Sequence, residues 1–232
     1  MQAPNLSSVR ALIFDLDGTL IDSKQDLILS VNAMLRETGR APLSEDTISG
    51  YIGQGAPVLV RRALGEAATE EEAKRALEFF LRYYEEHRME HTRAYPGVAE
   101  GLASLDGYPM AVLTNKPVRI SRRILEDLGL ASFFRVVYGG DSFETKKPDP
   151  LGTLAILGEF GVEPRDALLV GDSEIDVQTA RNAGTWAASV TYGFGTHDHE
   201  AFPPDVYLDR LTDLAPLLMD HGSGRRRPPA SP

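Results

Sequence analysis

The sequence predicts an α/β chain, a doubly wound parallel sheet interrupted after its first strand by a helical module. Three observations carry that prediction. From Met110 onward, short apolar runs alternate with segments of helical period; from Ser23 to about His91 only helical periods occur; and polar groups stand at four places at predicted strand ends. Strands separated by helices of this length imply right-handed crossovers and a parallel sheet covered on both faces. Ligands of such sheets sit at the carboxyl ends of the strands.

Val9 to Phe14 is a short apolar run that reads as a buried strand. Leu27, Val31, Met34 and Leu35 then fall at i, i+4, i+7 and i+8, and Ala73, Leu77, Phe80, Leu81 and Tyr84 repeat the period between charged residues, which predicts two amphipathic helices. Gly53-Gln-Gly55 breaks the pattern between them, and Pro57 to Leu64 opens another helix with proline in its first turn. After Tyr95-Pro-Gly97 the rhythm changes. Met110 to Leu113, Val136 to Tyr138, Ala167 to Val170 and Trp186 to Val190 read as strands, and Val118 to Leu128, Pro150 to Phe160 and Ile175 to Asn182 as the helices between them. Residues 1–22 and 92–221 are therefore expected to form the core and residues 23–91 the helical module. Residues 222–232, with Gly-Ser-Gly, three arginines and Pro-Pro-Ala-Ser-Pro, have the composition of a disordered tail.

The chain has 232 residues, 42% of them hydrophobic, which suffices for a substantial core. Lys and Arg number 24 against 34 Asp and Glu, a net charge of -10 that argues against a nucleic-acid binder held by phosphate contacts. With no cysteine there is no disulfide framework, thiolate metal site or thiol nucleophile. Met1 to Arg10 lacks the basic start and apolar centre of a secretory signal, and no run approaches the ~20 apolar residues of a membrane span. A cytoplasmic protein without nucleic-acid or membrane partners is expected, and both monomer and homodimer stay open.

The segment from Phe14 to Ser23, Phe-Asp-Leu-Asp-Gly-Thr-Leu-Ile-Asp-Ser, places two carboxylates two positions apart at the end of the first strand. In extended backbone such side chains share a face, so Asp15 and Asp17 are expected in one small volume. Like charges that close raise one another's pKa unless a cation or a divided chemical role relieves them. The pair thus asks for a metal or a proton-transfer job. The other strand-end groups are Thr114 with Asn115, Lys147 before Pro148, and Asp172 with Asp176. In this order, from Phe14 to Asp176, they resemble the four motifs of the haloacid dehalogenase-like phosphohydrolases.

Each residue type suits phosphoryl transfer. A carboxylate can attack phosphorus to form an acyl phosphate, and a neighbouring acid can protonate the leaving oxygen and later take a proton from water. Asp15 is the candidate nucleophile and Asp17 the candidate general acid and base. The resemblance further implies that Mg²⁺ is held by an Asp15 oxygen, the Asp17 backbone carbonyl and Asp172. It also implies that Thr114 hydrogen-bonds the transferring phosphoryl, with backbone N–H groups near Leu16 and Asn115, and that Lys147 neutralises phosphate and nucleophile together. Lys146 is then a solvated neighbour, and Asp176 an outer partner of the metal waters or the lysine. Haloalkanoic dehalogenases carry no acid at the place of Asp17, so the pair favours phosphoester chemistry.

The helical stretch sits where one branch of the family inserts a cap, which implies a Rossmann-like core whose site is closed by residues 23–91, with hinges near Asp22 and Tyr95. Tyr51 to Leu64, together with Thr114-Asn-Lys-Pro117 and Lys147-Pro-Asp-Pro150, is similar to the phosphoglycolate phosphatase group. That implies a Mg²⁺-dependent phosphomonoesterase for a small phosphorylated metabolite, 2-phosphoglycolate first, with Asn115, Gln54 and either Arg61 or Arg62 contacting the substrate. Alternatives are an inorganic pyrophosphatase, a sugar-phosphate or nucleotide phosphatase, a β-phosphoglucomutase and, outside the enzymes, a phosphate-ligand binding or regulatory module. Thr196-His-Asp-His-Glu200 reads as a polar loop rather than a second metal site, and His87 and His91 as a solvated helix face.

Overall fold

The computed structural model describes residues 6–195 and 200–219, so Thr196 to His199 and the tail from Gly222 lie outside the described residues. Along the chain come β1 (Ala11–Phe14), β2 (Ile21–Asp22), α1 (Lys24–Glu37), α2 (Glu45–Ser49), α3 (Ala56–Leu64), α4 (Glu70–His87) and β3 (Arg93–Ala94). Then follow α5 (Val98–Ser104), β4 (Met110–Leu113), α6 (Val118–Asp127), β5 (Val136–Tyr138), α7 (Leu151–Phe160) and β6 (Ala167–Gly171). The last elements are α8 (Glu174–Ala183), β7 (Trp186–Val190), β8 (Val206–Leu208) and α9 (Leu214–Met219).

Six strands form one parallel sheet in the order β5-β4-β1-β6-β7-β8. Ile13 of β1 stands in register with Ala111 of β4 on one side and Leu169 of β6 on the other. Alternation along the strands divides the core in two. Leu12, Phe14, Met110, Val112, Leu168 and Val170 belong to one buried cluster, and Ala11, Ile13, Ala111, Leu113, Ala167 and Leu169 to the other. This is the doubly wound arrangement expected from near-continuous apolar strands. The chain leaves β4 towards one edge and β6 towards the other, so the crevice at the carboxyl ends of β1, β4 and β6 is the topological switch point.

The insert after β1 is helical, and α4 packs on both α1 and α3. Leu27, Val31, Met34, Leu35, Phe80 and Tyr84 are buried at the predicted periods. Thr69 and Glu72 form a capping box that starts α4, satisfying backbone donors at its first turn. Two crossings join insert and core, and they pair as the antiparallel strands β2 and β3, Ile21 with Ala94 and Asp22 with Arg93. Beside them, the buried carboxylate of Asp26 in the first turn of α1 accepts hydrogen bonds from His91 N (3.0 Å), Thr92 N (2.9 Å) and Thr92 Oγ1 (2.7 Å). Val9 lies outside β1, contrary to the sequence expectation: its N–H turns back to Leu6 O, and Arg10 N is taken by Asp166 O before β1 begins.

Candidate active site

Asp15 follows β1 and is fixed by its own backbone, whose N–H donates to Val170 O of β6 at 2.8 Å. Lys147 Nζ lies 2.8 Å from Asp15 Oδ1 and 2.6 Å from Asp176 Oδ1, all three residues being buried. Asp176 in the first turn of α8 is fully engaged. Its second oxygen accepts from Ser173 Oγ (2.7 Å), Ser173 N (3.1 Å) and Asp172 N (3.3 Å), which caps the helix and orients the carboxylate towards Lys147. Asp172, at the end of β6, accepts from Gly195 N at 2.6 Å and Phe194 N at 3.1 Å. Gly18 has φ 84, and a Cβ there would fall 1.9 Å from Asp172 Oδ2, so both the turn and the close approach require glycine.

Burial pushes the Asp15 carboxyl up to about 6, against the pull of Lys147 and with Asp176 adding repulsion. Burial also holds Asp172 well above the usual carboxylate range, reinforced by Asp176 and Asp15. For Lys147 burial disfavours the charge, yet Asp15 and Asp176 outweigh it and keep the ammonium above the ordinary lysine value. Oxygens of Asp15, Asp172 and Asp176 lie within 4.8 Å of one another. Since both Asp176 oxygens are already taken, Asp15 and Asp172 are the carboxylates left to a cation. An all-oxygen donor set suits a hard divalent ion, whose charge relieves the repulsion that raises both groups.

Asp17 lies apart from that cluster. Lys116 Nζ donates to both of its oxygens, at 2.8 and 3.0 Å, and Ser23 Oγ donates to Oδ1 at 2.5 Å. Lys116 is buried with its ammonium 4.5 Å from the centre of the Tyr84 ring on α4. Desolvation works against the charge of Lys116, and Asp17 more than restores it. Burial raises the Tyr84 hydroxyl to about 12.

One cavity joins core and insert. Asp15, Asp17, Thr114, Asn115, Lys116 and Asp172 line it from the sheet side, and Gln54, Leu59, Arg62, Phe80, Leu81 and Tyr84 from the helical side. Arg62 donates to Gln54 Oε1 at 3.1 Å. Arg61 is not in the lining; it bonds Ala68 O at 2.9 Å and pairs with Glu70, so of the two arginines expected near substrate only Arg62 faces the cavity. Asn115 Nδ2 bridges Gly53 O (2.9 Å) and Lys147 O (3.1 Å), joining the insert loop to the lysine backbone. Lys146 is no solvated neighbour: its Nζ donates to Gln54 O at 2.6 Å, because the loop at Gly55 approaches the core so closely that a Cβ there would lie 2.9 Å from Asn115 O. No chemical pattern in the sequence marks Ser23 or Tyr84 as part of the site. Lys116 carried one usable signal, its place two residues after Thr114.

The profile of the haloacid dehalogenase-like hydrolases matches residues 12–190, a span that holds every motif residue named above. The chain belongs to this family. Among relatives of this haloacid dehalogenase-like hydrolase, phosphoglycolate phosphatase 1 of Pseudomonas aeruginosa is 42% identical over 216 residues, 89% of this chain and 79% of that protein. The phosphoglycolate phosphatase of Chromobacterium violaceum is 37% identical over 220 residues, 92% of this chain and 98% of that protein. The crystal structure of a predicted phosphoglycolate phosphatase from Haemophilus somnus matches with a TM-score of 0.85 at 36% identity, covering 89% of this chain and 96% of that one. Among the described residues no helix is long and apolar enough to cross a membrane.

Proposed function

We propose that this haloacid dehalogenase-like hydrolase is a Mg²⁺-dependent phosphomonoesterase whose substrate is 2-phosphoglycolate. The observation that supports it most is the contact of buried Asp15 with Lys147 at the sheet switch point, with Asp17 lining the same cavity on a separate lysine. Relatives named for phosphoglycolate at 36–42% identity over most of the chain support the substrate. So does a cavity of about 90 Å³, well below the ~300 Å³ where drug-sized pockets begin. A small metabolite ester also accords with a cytoplasmic site of action.

In this mechanism an Asp15 oxygen attacks phosphorus, the bond from phosphorus to the ester oxygen breaks, and a proton on Asp17 passes to that oxygen to release the alcohol. Water then attacks phosphorus of the aspartyl phosphate and gives its proton back to Asp17, freeing Asp15 and phosphate. Thr114, with backbone N–H groups near Leu16 and Asn115, holds the phosphoryl oxygens, and Lys147, steadied by Asp176, supplies fixed positive charge. The Asp15 and Asp172 carboxylates, with the Asp17 carbonyl, would hold Mg²⁺, which when bound supplies Lewis-acid charge to the phosphoryl oxygens. The helical insert acts as the cap, presenting Gln54 and Arg62 to the substrate and excluding water.

The test is Mg²⁺-dependent phosphate release from 2-phosphoglycolate, pyrophosphate, sugar phosphates and nucleotides, with Asp15→Asn as the blank. A lead of orders of magnitude in kcat/KM for 2-phosphoglycolate is expected. A flat panel, or one led by another ester, removes the substrate assignment; turnover retained in Asp15→Asn removes the nucleophile.

A further inference from the structure

Two cations line the cavity, Lys116 and Arg62, and they stand differently from each other and from Lys147, which touches Asp15 but is not part of the lining. Lys147 is matched on both sides by Asp15 and Asp176, which fixes the phosphoryl end of any ester there. Lys116 spends two donors on the two oxygens of a single carboxylate, and against its ammonium on the cap side lies the Tyr84 ring, an aromatic face that attracts a cation without neutralising it. Asp17 keeps an independent donor in Ser23, so it stays hydrogen-bonded when Lys116 shares itself with a second anion. A lysine is a compact charge on a flexible stem, suited to serving two anions at once.

Position decides which anion. Asp17 faces the leaving oxygen in the mechanism above, and Lys116 touches Asp17 at 2.8 Å, so its ammonium sits beside the first atoms of the leaving group. In a two-carbon ester of a hydroxy acid, the carboxylate is one carbon from the leaving oxygen and falls within reach of that ammonium. Arg62, on the opposite wall and tied to Gln54, faces the cavity from the cap. On the phosphatase reading, we propose that Lys116 is the specificity residue that reads a carboxylate adjacent to the scissile ester. Because Tyr84 comes from α4 and Lys116 from the loop after β4, the reader is assembled only when insert and core are together. A neutral alkyl ester of the same length forfeits this contact.

The experiment compares kcat/KM for 2-phosphoglycolate and ethyl phosphate in the same preparation of wild type, Lys116→Met, Lys116→Gln and Arg62→Met. Taking the ratio of the two substrates cancels the active fraction, so a partly unfolded variant still reports. Losing a hydrogen bond to a charged group, the Lys116 variants are expected to reduce the ratio by about 10- to 100-fold relative to wild type, whereas Arg62→Met, which removes a cap contact common to both esters, is expected to lower both kcat/KM values together and leave the ratio within about threefold. If the Lys116 variants slow both substrates by one common factor, Lys116 serves Asp17 alone and the proposal falls. It falls equally if Arg62→Met collapses the ratio and the Lys116 variants do not. No phosphate release by wild type from any ester would instead overturn the phosphatase reading on which this one rests.

Discussion

Replacing Asp26 with alanine tests whether the two crossings between core and insert are held by one buried carboxylate. Asp26 is 1% exposed, and Thr92, which gives it both a backbone N–H and a hydroxyl, is 0% exposed. His91 N adds a third donor, shared between the two oxygens at 3.0 and 3.1 Å. Each hydrogen bond to an ionised acceptor contributes about 1.5–3 kcal/mol, and the gross loss is offset by no longer desolvating the carboxylate, so the net destabilisation expected is about 3–5 kcal/mol. For a chain of this length, about 2–4 °C of Tm accompanies each kcal/mol, giving a fall of roughly 6–20 °C. Asp26→Asn keeps the shape but turns an amide N–H₂ towards one of those donors, and should lie between wild type and alanine. Urea unfolding followed by circular dichroism measures the free energies, and amide hydrogen exchange at His91 and Thr92 localises the effect. Asp26→Ala within about 1 kcal/mol of wild type, with those amides still protected, would refute the reasoning, because an unsatisfied buried donor is not tolerated so cheaply.

The site makes further predictions. Asp15, raised by burial from 3.8 to about 6, binds its proton more tightly folded than unfolded, so its contribution to stability is fully present below 3.8 and is lost as pH rises through about 6. In chelator, wild type should therefore lose on the order of 2–3 kcal/mol relative to Asp15→Asn between pH 4 and 7; urea unfolding across that range checks it, and a constant difference contradicts it. Adding Mg²⁺ should shrink the wild-type slope. Lys146→Met frees the Gln54 carbonyl from its 2.6 Å contact and should raise KM for 2-phosphoglycolate about fivefold with kcat within about twofold, as expected for one charge-assisted bond at a partly exposed site. A matching fall in kcat with unchanged KM would show that Lys146 acts on the chemistry rather than on the loop.

The strands Met110–Leu113, Val136–Tyr138 and Trp186–Val190 are legible in the sequence because each is a short apolar run bounded by turn or helix signals, and the helical periods of α1 and α4 are legible because each spans several turns. The strands β2 and β3 are not, since two residues carry no period and their pairing joins positions about seventy apart along the chain. The site splits the same way. Asp15 and Asp172 directly follow β1 and β6 and Asp176 lies in the first turn of α8, where residue type and topology converge them, whereas Lys147, expected at a strand end, stands in the long loop between β5 and α7 and reaches the site from there. Lys146 on Gln54 O, Asn115 on Gly53 O and Lys116 under Tyr84 depend on how closely the insert approaches the sheet, a distance no local pattern encodes.

Extended backbone through Asp15 and Asp17 would put both carboxylates on one face. In the structure β1 ends at Phe14, and the chain enters a turn through Gly18 that sends the two carboxylates to different lysines, Asp15 to Lys147 and Asp17 to Lys116. Among the neighbours acting on Asp15, Asp17 accordingly comes last, behind Lys147 and Asp176. The conflict of like charges therefore arises elsewhere, between Asp15, Asp172 and Asp176, and that is where a cation is called for. This separation has a chemical consequence. Each carboxylate has its own lysine partner, so the contacts of one can be changed without removing the partner of the other. One ammonium comes from the loop after β4 and one from the loop before α7, and on the proposed mechanism the first, under Tyr84 of the insert, serves the leaving group while the second, behind Asp15, serves the phosphoryl group. Changes in the insert should then alter which ester is accepted while the phosphoryl chemistry stays with the core.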